Sequence, residues 1–117
     1  MIIVMKESIK LIKALSDETR MRIFLLLSQK ELCVCELMDI LKMEQSRISH
    51  ALRPLKESDL VTSRREGTWI LYSLNRELVE NPIIYGIIKA VKPGKEDMVN
   101  LIQCKKANIK QKCKVGE

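Results

Sequence analysis

The sequence predicts a mainly α-helical domain with one small β-hairpin. Apolar residues recur at three- and four-residue steps in most segments, which is the periodicity of helices packed on a core. One segment near the middle instead alternates around a glycine turn, as a hairpin does. A chain of 117 residues fits one compact core, and with 46% hydrophobic but only 3% aromatic residues that core should be aliphatic.

Two helices are predicted at the start of the chain. Met5, Ile9, Ile12 and Leu15 recur at three- and four-residue steps, which marks one helical face. Asp17 is suited to cap a second helix, whose body from Met21 to Leu27 is apolar nearly all round. We therefore expect the second helix to be central and buried.

A helix-turn-helix is predicted next. A third helix around residues 37–41 is followed by the short polar link 42–44 and by a fourth helix over 45–53. One face of the fourth helix is apolar, and the other carries Gln45, Ser46, Arg47, Ser49, His50 and Arg53. Two short helices with so brief a link form a helix-turn-helix, and Pro54 should kink or weaken the end of the second.

The hairpin follows directly, so the domain is a winged helix-turn-helix. Residues 60–65 and 68–74 are the predicted strands, and Glu66-Gly67 is the predicted turn. Arg64 and Arg65 make the tip basic. Alternation assigns Ile70, Tyr72 and Leu74 to the inner face and leaves Trp69 partly exposed on the outer face.

An apolar helix is predicted after Asn81-Pro82, ending at Pro93-Gly94, and an amphipathic stretch runs from Glu96 to about Cys104. We expect residues 1–92 to form the winged helix-turn-helix domain. Residues 93–117 then form an amphipathic stretch and a basic tail.

Charge and apolar patterning limit the partners. The formal charge of +6 permits an anionic partner such as nucleic acid, although much of the excess lies in the lysine-rich tail. No run of residues has the length of a membrane span or the form of a signal peptide, so we expect a cytosolic protein with no membrane partner. In that compartment cysteines serve burial, metal binding or redox sensing rather than structural disulfides.

Four segments, in order, resemble the ArsR/SmtB family of metal-sensing repressors: residues 14–23, 31–37, 45–52 and 64–74. The resemblance covers about residues 8 to 92. It implies a homodimer that represses transcription when empty and leaves its double-stranded operator when it binds an inducer. The resemblance also implies dimerisation through the first and last helices, here through Ile9, Ile12, Ile84, Ile87 and Ile88.

Within that family, the segment with Cys33 and Cys35, in the third helix, resembles the arsenic and antimony sensors, and cadmium and lead sensors share part of it. The family's zinc sensors use histidine and carboxylate pairs in the last helix, and residues 82–92 contain none. The inducer is therefore expected to be arsenite or antimonite, with cadmium or lead as alternatives and no organic cofactor.

The spacing of Cys33 and Cys35 favours a switch over two packed core cysteines. Positions two apart on a helix differ by about 200°, so both cannot lie on one buried face. One ion could reach both sulfurs only if that helical turn unwound, which would displace the helix 45–53 from DNA. Soft thiolates also prefer thiophilic ions to hard cations.

A third thiolate is missing from the motif. Some arsenic sensors have a further cysteine at the position of Met38, and residues 1–32 lack the cysteine-bearing arm of cadmium and lead sensors. Cys104 is the favoured third ligand and Cys113 a less favoured one, while an external thiol or water is the alternative. Thiol oxidation through these cysteines is the competing sensing chemistry.

An enzyme is not expected. His50 is the sole histidine, and neither a carboxylate pair nor a glycine-rich phosphate loop accompanies it. Its position on the polar face of the fourth helix favours a DNA contact. A dimeric interaction module that binds no DNA is the non-enzymatic alternative.

Overall fold

The computed structural model describes residues 4–107, and side chains up to residue 104. The elements in order are α1 (Met5–Leu15), α2 (Glu18–Leu27), β1 (Leu32–Cys33), α3 (Val34–Leu41), α4 (Gln45–Glu57), β2 (Val61–Glu66), β3 (Trp69–Leu74), a 3-10 helix (Arg76–Glu80), α5 (Pro82–Ala90) and α6 (Lys95–Ala107). The predicted mainly helical, winged architecture is confirmed, but β1 and the 3-10 helix were not predicted from the sequence.

Helix α2 is the centre of the core, as predicted. The Asp17 carboxylate accepts a hydrogen bond from the Arg20 backbone N–H at 3.1 Å and so caps its first turn. Ile23, Phe24 and Leu26 are almost completely buried. Because α2 is covered on nearly every side, the other helices are positioned around it.

Helices α3 and α4 form the helix-turn-helix. Lys42 ends α3 in the left-handed conformation, with φ of 57°, and three residues later α4 begins. The apolar face of α4 is buried through Ile48, Leu52 and Leu55. The helix continues to Glu57, beyond the predicted bound of residue 53, with Pro54 inside it. Tertiary packing on this face outweighs the missing backbone donor.

The wing belongs to a three-stranded antiparallel sheet with the order β1-β3-β2. Glu66 pairs with Trp69, so the turn residues are Gly67 and Thr68, one residue later than predicted. Gly67 has a φ of 63°, which is the left-handed conformation expected of the turn glycine.

The two faces of β3 are both partly covered. Tyr72 and Leu74 pack against the main core, as predicted, and Trp69 is half-buried. Leu71 alternates with the predicted inner set, yet it is more deeply buried than Ile70. Leu71 pairs with Cys33 at the end of β1, and the helix α3 that follows directly contacts β3.

Helix α6 packs against α2 and α3 rather than extending away. The Arg22 guanidinium donates two hydrogen bonds to the Asp97 carboxylate, at 2.9 and 3.0 Å. The Asn100 side-chain amide donates to the Ile40 carbonyl at 2.9 Å. Leu101 joins the core. No helix among residues 4–107 has both the length and the apolar character needed to cross a membrane.

Candidate functional site

Cys33 lies at the junction between the sheet and the helix-turn-helix. It is the last residue of β1, caps α3 in an extended conformation, and its side chain is fully buried. Its backbone N–H donates to Glu36 Oε1 at 3.0 Å, and the Glu36 backbone N–H points back to the Cys33 sulfur. This reciprocal capping arrangement ties the sulfur to the first turn of α3.

Cys35 lies in that first turn and is half-buried. It takes part in a disulfide bond in the structure, so it must be reduced before its sulfur can bind an ion as a thiolate. The two motif cysteines therefore differ in environment: Cys33 is enclosed by protein, and Cys35 is closer to solvent.

The sequence interpretation that put both cysteines on one helix is wrong. The segment from Leu32 to Cys33 is a strand, and the helix begins at Val34. The relation of about 200° around a common helix axis therefore does not apply. The strand forms because β3 offers a free edge for pairing, and periodicity in a two-residue segment cannot reveal this.

Cys104 is buried on α6, where it is 2% exposed. Burial, followed by the negative charges of Glu36 and Asp39, raises the pKa of its thiol to about 11. The thiol is thus neutral near pH 7. Since both carboxylates belong to α3, Cys104 faces the helix that begins at the cysteine motif, and not an exposed dimer surface.

A complete ion site is not preassembled in the described part of the chain. No group of three histidine, cysteine or carboxylate residues there lies close enough to hold a metal. Met38 is half-buried against the core, and Cys113 lies outside the described residues. The structure brings Cys33, Cys35 and Cys104 to the same helix without joining them in one cluster.

The polar face of α4 is exposed, as expected of a surface that meets a partner. Its predicted residues, Gln45, Ser46, Arg47, Ser49, His50 and Arg53, are all exposed. Arg47 makes a long contact of 3.4 Å from Nη2 to the Thr19 hydroxyl, which links α4 to the first turn of α2.

The two wing arginines have different surroundings. Arg64 donates to both Glu31 carboxylate oxygens, at 2.6 and 3.0 Å, and to Glu66 at 2.7 Å. These carboxylates raise the pKa of Arg64 and balance its charge. Arg65 is exposed, and its Nε contacts the Gly67 carbonyl at 3.3 Å. Of the pair, Arg65 is therefore the cation better able to meet a phosphate, and Glu31 is the partner that sequence reasoning missed.

The residues expected at a dimer interface are not equally accessible. Ile9 and Ile12 are 43% and 52% exposed, whereas Ile84 is packed in the core of its own protomer. Ile87 and Ile88 are partly buried against that core. Tyr85 is the large exposed residue of α5 that the sequence did not single out.

The described geometry is that of a winged helix-turn-helix, the class of protein built to present one helix and one hairpin to DNA. Comparison with known proteins agrees. A solved homodimeric winged helix-turn-helix DNA-binding domain from Mycobacterium bovis, a possible ArsR-family regulator, is 30% identical with a TM-score of 0.63; the match covers 74% of this chain and 78% of that one.

The model of the family described as "bacterial regulatory protein, arsR family" matches residues 17–63. The arsenic resistance transcriptional regulator ArsR2 of Pseudomonas putida is 51% identical over 67 residues, 56% of this chain and 58% of that protein. A cadmium resistance transcriptional regulatory protein CadC homolog of Staphylococcus aureus is 43% identical over 72 residues, 61% and 60% respectively. The chain thus matches less than two thirds of either relative. It belongs to the ArsR family, whose members are DNA-binding transcriptional regulators rather than enzymes.

Proposed function

We propose that this chain is a transcriptional repressor that leaves its operator when arsenite or antimonite binds Cys33 and Cys35. The position of the pair carries the proposal. Both cysteines lie where β1 meets α3, so they touch the sheet of the wing and the first helix of the helix-turn-helix. An ion that draws their sulfurs together therefore acts on the sheet that includes the wing and on the helix that precedes α4. The relative named for arsenic resistance supports the same inducer class.

Double-stranded DNA is the proposed partner of α4 and the wing. The exposed polar face of α4 has the shape and chemistry that enter a major groove, with Arg47 and His50 among its contacts. Arg65 supplies a cation from the wing, while Arg64 reaches DNA only if its carboxylate partners release it. The repressor acts as a homodimer on two half-sites, with Ile9 and Ile12 of α1 and the exposed side of α5 at the interface.

Inducer binding is a competition with the start of α3. The ion takes thiolates, so binding releases protons from the cysteines. It also removes the Cys33 sulfur from its contact with the Glu36 backbone N–H. Loss of a helix cap costs about 0.5–2 kcal/mol. The sequence predicted that unwinding of a helical turn triggers release. The proposed trigger is now the loss of this cap at the first turn of α3, beside the pairing of Cys33 with Leu71.

Cys104 is the proposed third ligand, and Cys113 the less favoured one. The burial of Cys104 on α6 supports this choice, because α6 packs against α3, the helix that begins at the cysteine motif. Its raised pKa means that an ion must displace a tightly held proton. A small external thiol or water completes the site if Cys104 does not.

Two observations favour alternative inducers of the same repressor. The relative named for cadmium resistance supports cadmium as the second ion, and the family resemblance adds lead. The disulfide at Cys35 favours a redox sensor, in which oxidation rather than an ion changes DNA affinity. Added ion under reducing conditions, and oxidant without ion, separate these alternatives.

The test is a fluorescence anisotropy titration of the reduced protein against the DNA upstream of its own gene. It is repeated with arsenite, antimonite, cadmium and lead, and with serine variants at positions 33, 35, 104 and 113. We expect arsenite or antimonite to release the wild-type protein, and the Cys33→Ser and Cys35→Ser variants to stay bound. A normal response from those two variants would overturn the sensor assignment, and an unchanged response at 104 and 113 would leave a two-cysteine site.

Operator contact is tested separately. Arg47→Ala and His50→Ala should weaken operator binding while the dimer remains intact by sedimentation. Arg76→Ala, an exposed arginine on the 3-10 helix, is the matched control and should bind normally. Equal binding by all three variants would contradict the role of α4.

A further inference from the structure

We propose that a basic strip beside the recognition helix, formed by Lys10 and Lys13 of α1 and Arg20 of α2, binds the DNA phosphate backbone. This inference rests on the proposed DNA-binding function and extends the contact surface beyond α4 and the wing. Neither composition nor the resemblance pointed to α1 as a DNA-facing element. The arrangement of charged residues on the surface of the folded domain points to it.

Helix α1 has three distinct faces. Leu11, Ala14 and Leu15 are buried in the core, whereas Ile9 and Ile12 form part of an exposed apolar face. Between these faces, at the spacing of one helical stripe, lie the exposed residues Lys6, Lys10 and Lys13. Within the described part of the chain these three lysines form no ion pair. No direct ion pair therefore neutralises these lysines.

The stripe is continuous with the recognition helix. Lys10, Lys13 and Arg20 line one groove together with Pro54 and Glu57 from the second half of α4. A second depression adjoins it through Arg20, and its other walls include Thr19, Arg47 and His50. A path of cationic side chains thus runs from α1 along one flank of α4 to its proposed base-reading residues.

Arg20 lies at the centre of this path. Its guanidinium donates to the carbonyls of Ala14 at 2.7 Å and Lys13 at 3.1 Å, and these neutral partners fix it without balancing it. Asp17 and Glu57 also line the two depressions. The Asp17 carboxylate is engaged by the first turn of α2. Because Lys10, Lys13, Arg20 and Arg47 outnumber these two carboxylates, the path remains cationic.

The opposite flank of α4 faces the wing. Ser49, Arg53 and Lys56 line a depression there that ends at Tyr72 of β3. A helix in the major groove lies between two phosphate backbones, so a protein can contact phosphates on both of its flanks. The wing serves one flank. The strip on α1 and α2 serves the other, and it recognises phosphate charge rather than base sequence.

The test compares salt dependence between variants, because each phosphate contact adds about 0.9 to the slope of log affinity against log salt. We use Lys10→Gln/Lys13→Gln, with operator DNA and a scrambled duplex between 50 and 200 mM salt. Lys30→Gln is the matched control; Lys30 is an exposed lysine beyond the C-terminal end of α2, whereas the strip lies at the other end of that helix. Circular dichroism and sedimentation check folding and dimerisation.

We expect the slope for the double variant to fall by about 0.9 for each phosphate that is no longer bound, on both duplexes, with no change for Lys30→Gln. For each such phosphate, raising the salt from 50 to 200 mM then weakens the affinity of the wild type about threefold more than that of the double variant. Equal slopes for wild type and double variant, with intact operator binding, would refute phosphate binding by the strip and leave the proposed function standing. No operator binding by the wild type would overturn both this inference and the proposed function.

Discussion

The ion pair between Arg22 and Asp97 should determine how firmly α6 is held on the domain. It joins residues of α2 and α6 through two hydrogen bonds, and the Asp97 side chain is 5% exposed while that of Arg22 is 31% exposed. Removing one partner of a fully buried pair costs about 3–5 kcal/mol, and an exposed pair contributes under about 1 kcal/mol. Because Arg22 retains access to water, we expect Asp97→Asn to lower the free energy of unfolding by about 2 kcal/mol.

The assay is thermal and urea unfolding at fixed protein concentration, since dimerisation would make the midpoint depend on concentration. For a domain of this size, about 2 kcal/mol corresponds to a fall in Tm of about 8 °C. Glu96→Gln is the control: Glu96 is the exposed neighbouring carboxylate and should change stability by less than about 0.5 kcal/mol. A double-mutant cycle with Arg22→Gln isolates the coupling energy. Equal effects of Asp97→Asn and Glu96→Gln would refute the reasoning.

Three further predictions concern the wing and the buried thiol. Glu31→Gln should weaken the tie between Arg64 of β2 and the residue that precedes β1, and so speed amide exchange in the wing. Unchanged exchange would mean that this ion pair does not hold the wing in place. Gly67→Val should lower Tm more than Gly67→Asn, because the backbone there is left-handed and a Cβ meets nothing within 4 Å, so the cost of about 1–2 kcal/mol is conformational; equal Tm values would contradict this. In a variant that keeps Cys104 as its one cysteine, alkylation of the thiol should be slow at pH 8 and accelerate toward pH 11. The free energy of unfolding should fall between pH 9 and 11, because the unfolded chain has there released a proton that the folded chain still holds. Fast alkylation at pH 8 would show an accessible thiolate.

The sequence determined the elements whose signals are local. Asp17 marks the start of α2 because a side-chain acceptor can cap a helix without help from distant residues. Ile48 and Leu52 revealed the buried face of α4 through helical periodicity, and Gly67 marked the turn of the wing because few other residues adopt a positive φ. The cysteine motif was visible in the same way, as spacing and residue type.

Tertiary structure decided everything that depends on distant partners. Cys33 is strand and cap rather than helix because Leu71, far along the chain, supplies the pairing edge. Arg64 is tied to Glu31 and Cys104 faces α3 only after folding brings together residues that lie far apart in the sequence. Such contacts leave no periodic trace, since long-range pairing depends on how whole elements pack. The sequence by itself therefore determined the fold class and the candidate ligands, and the packing of β1 and α6 around α3 decided their environments.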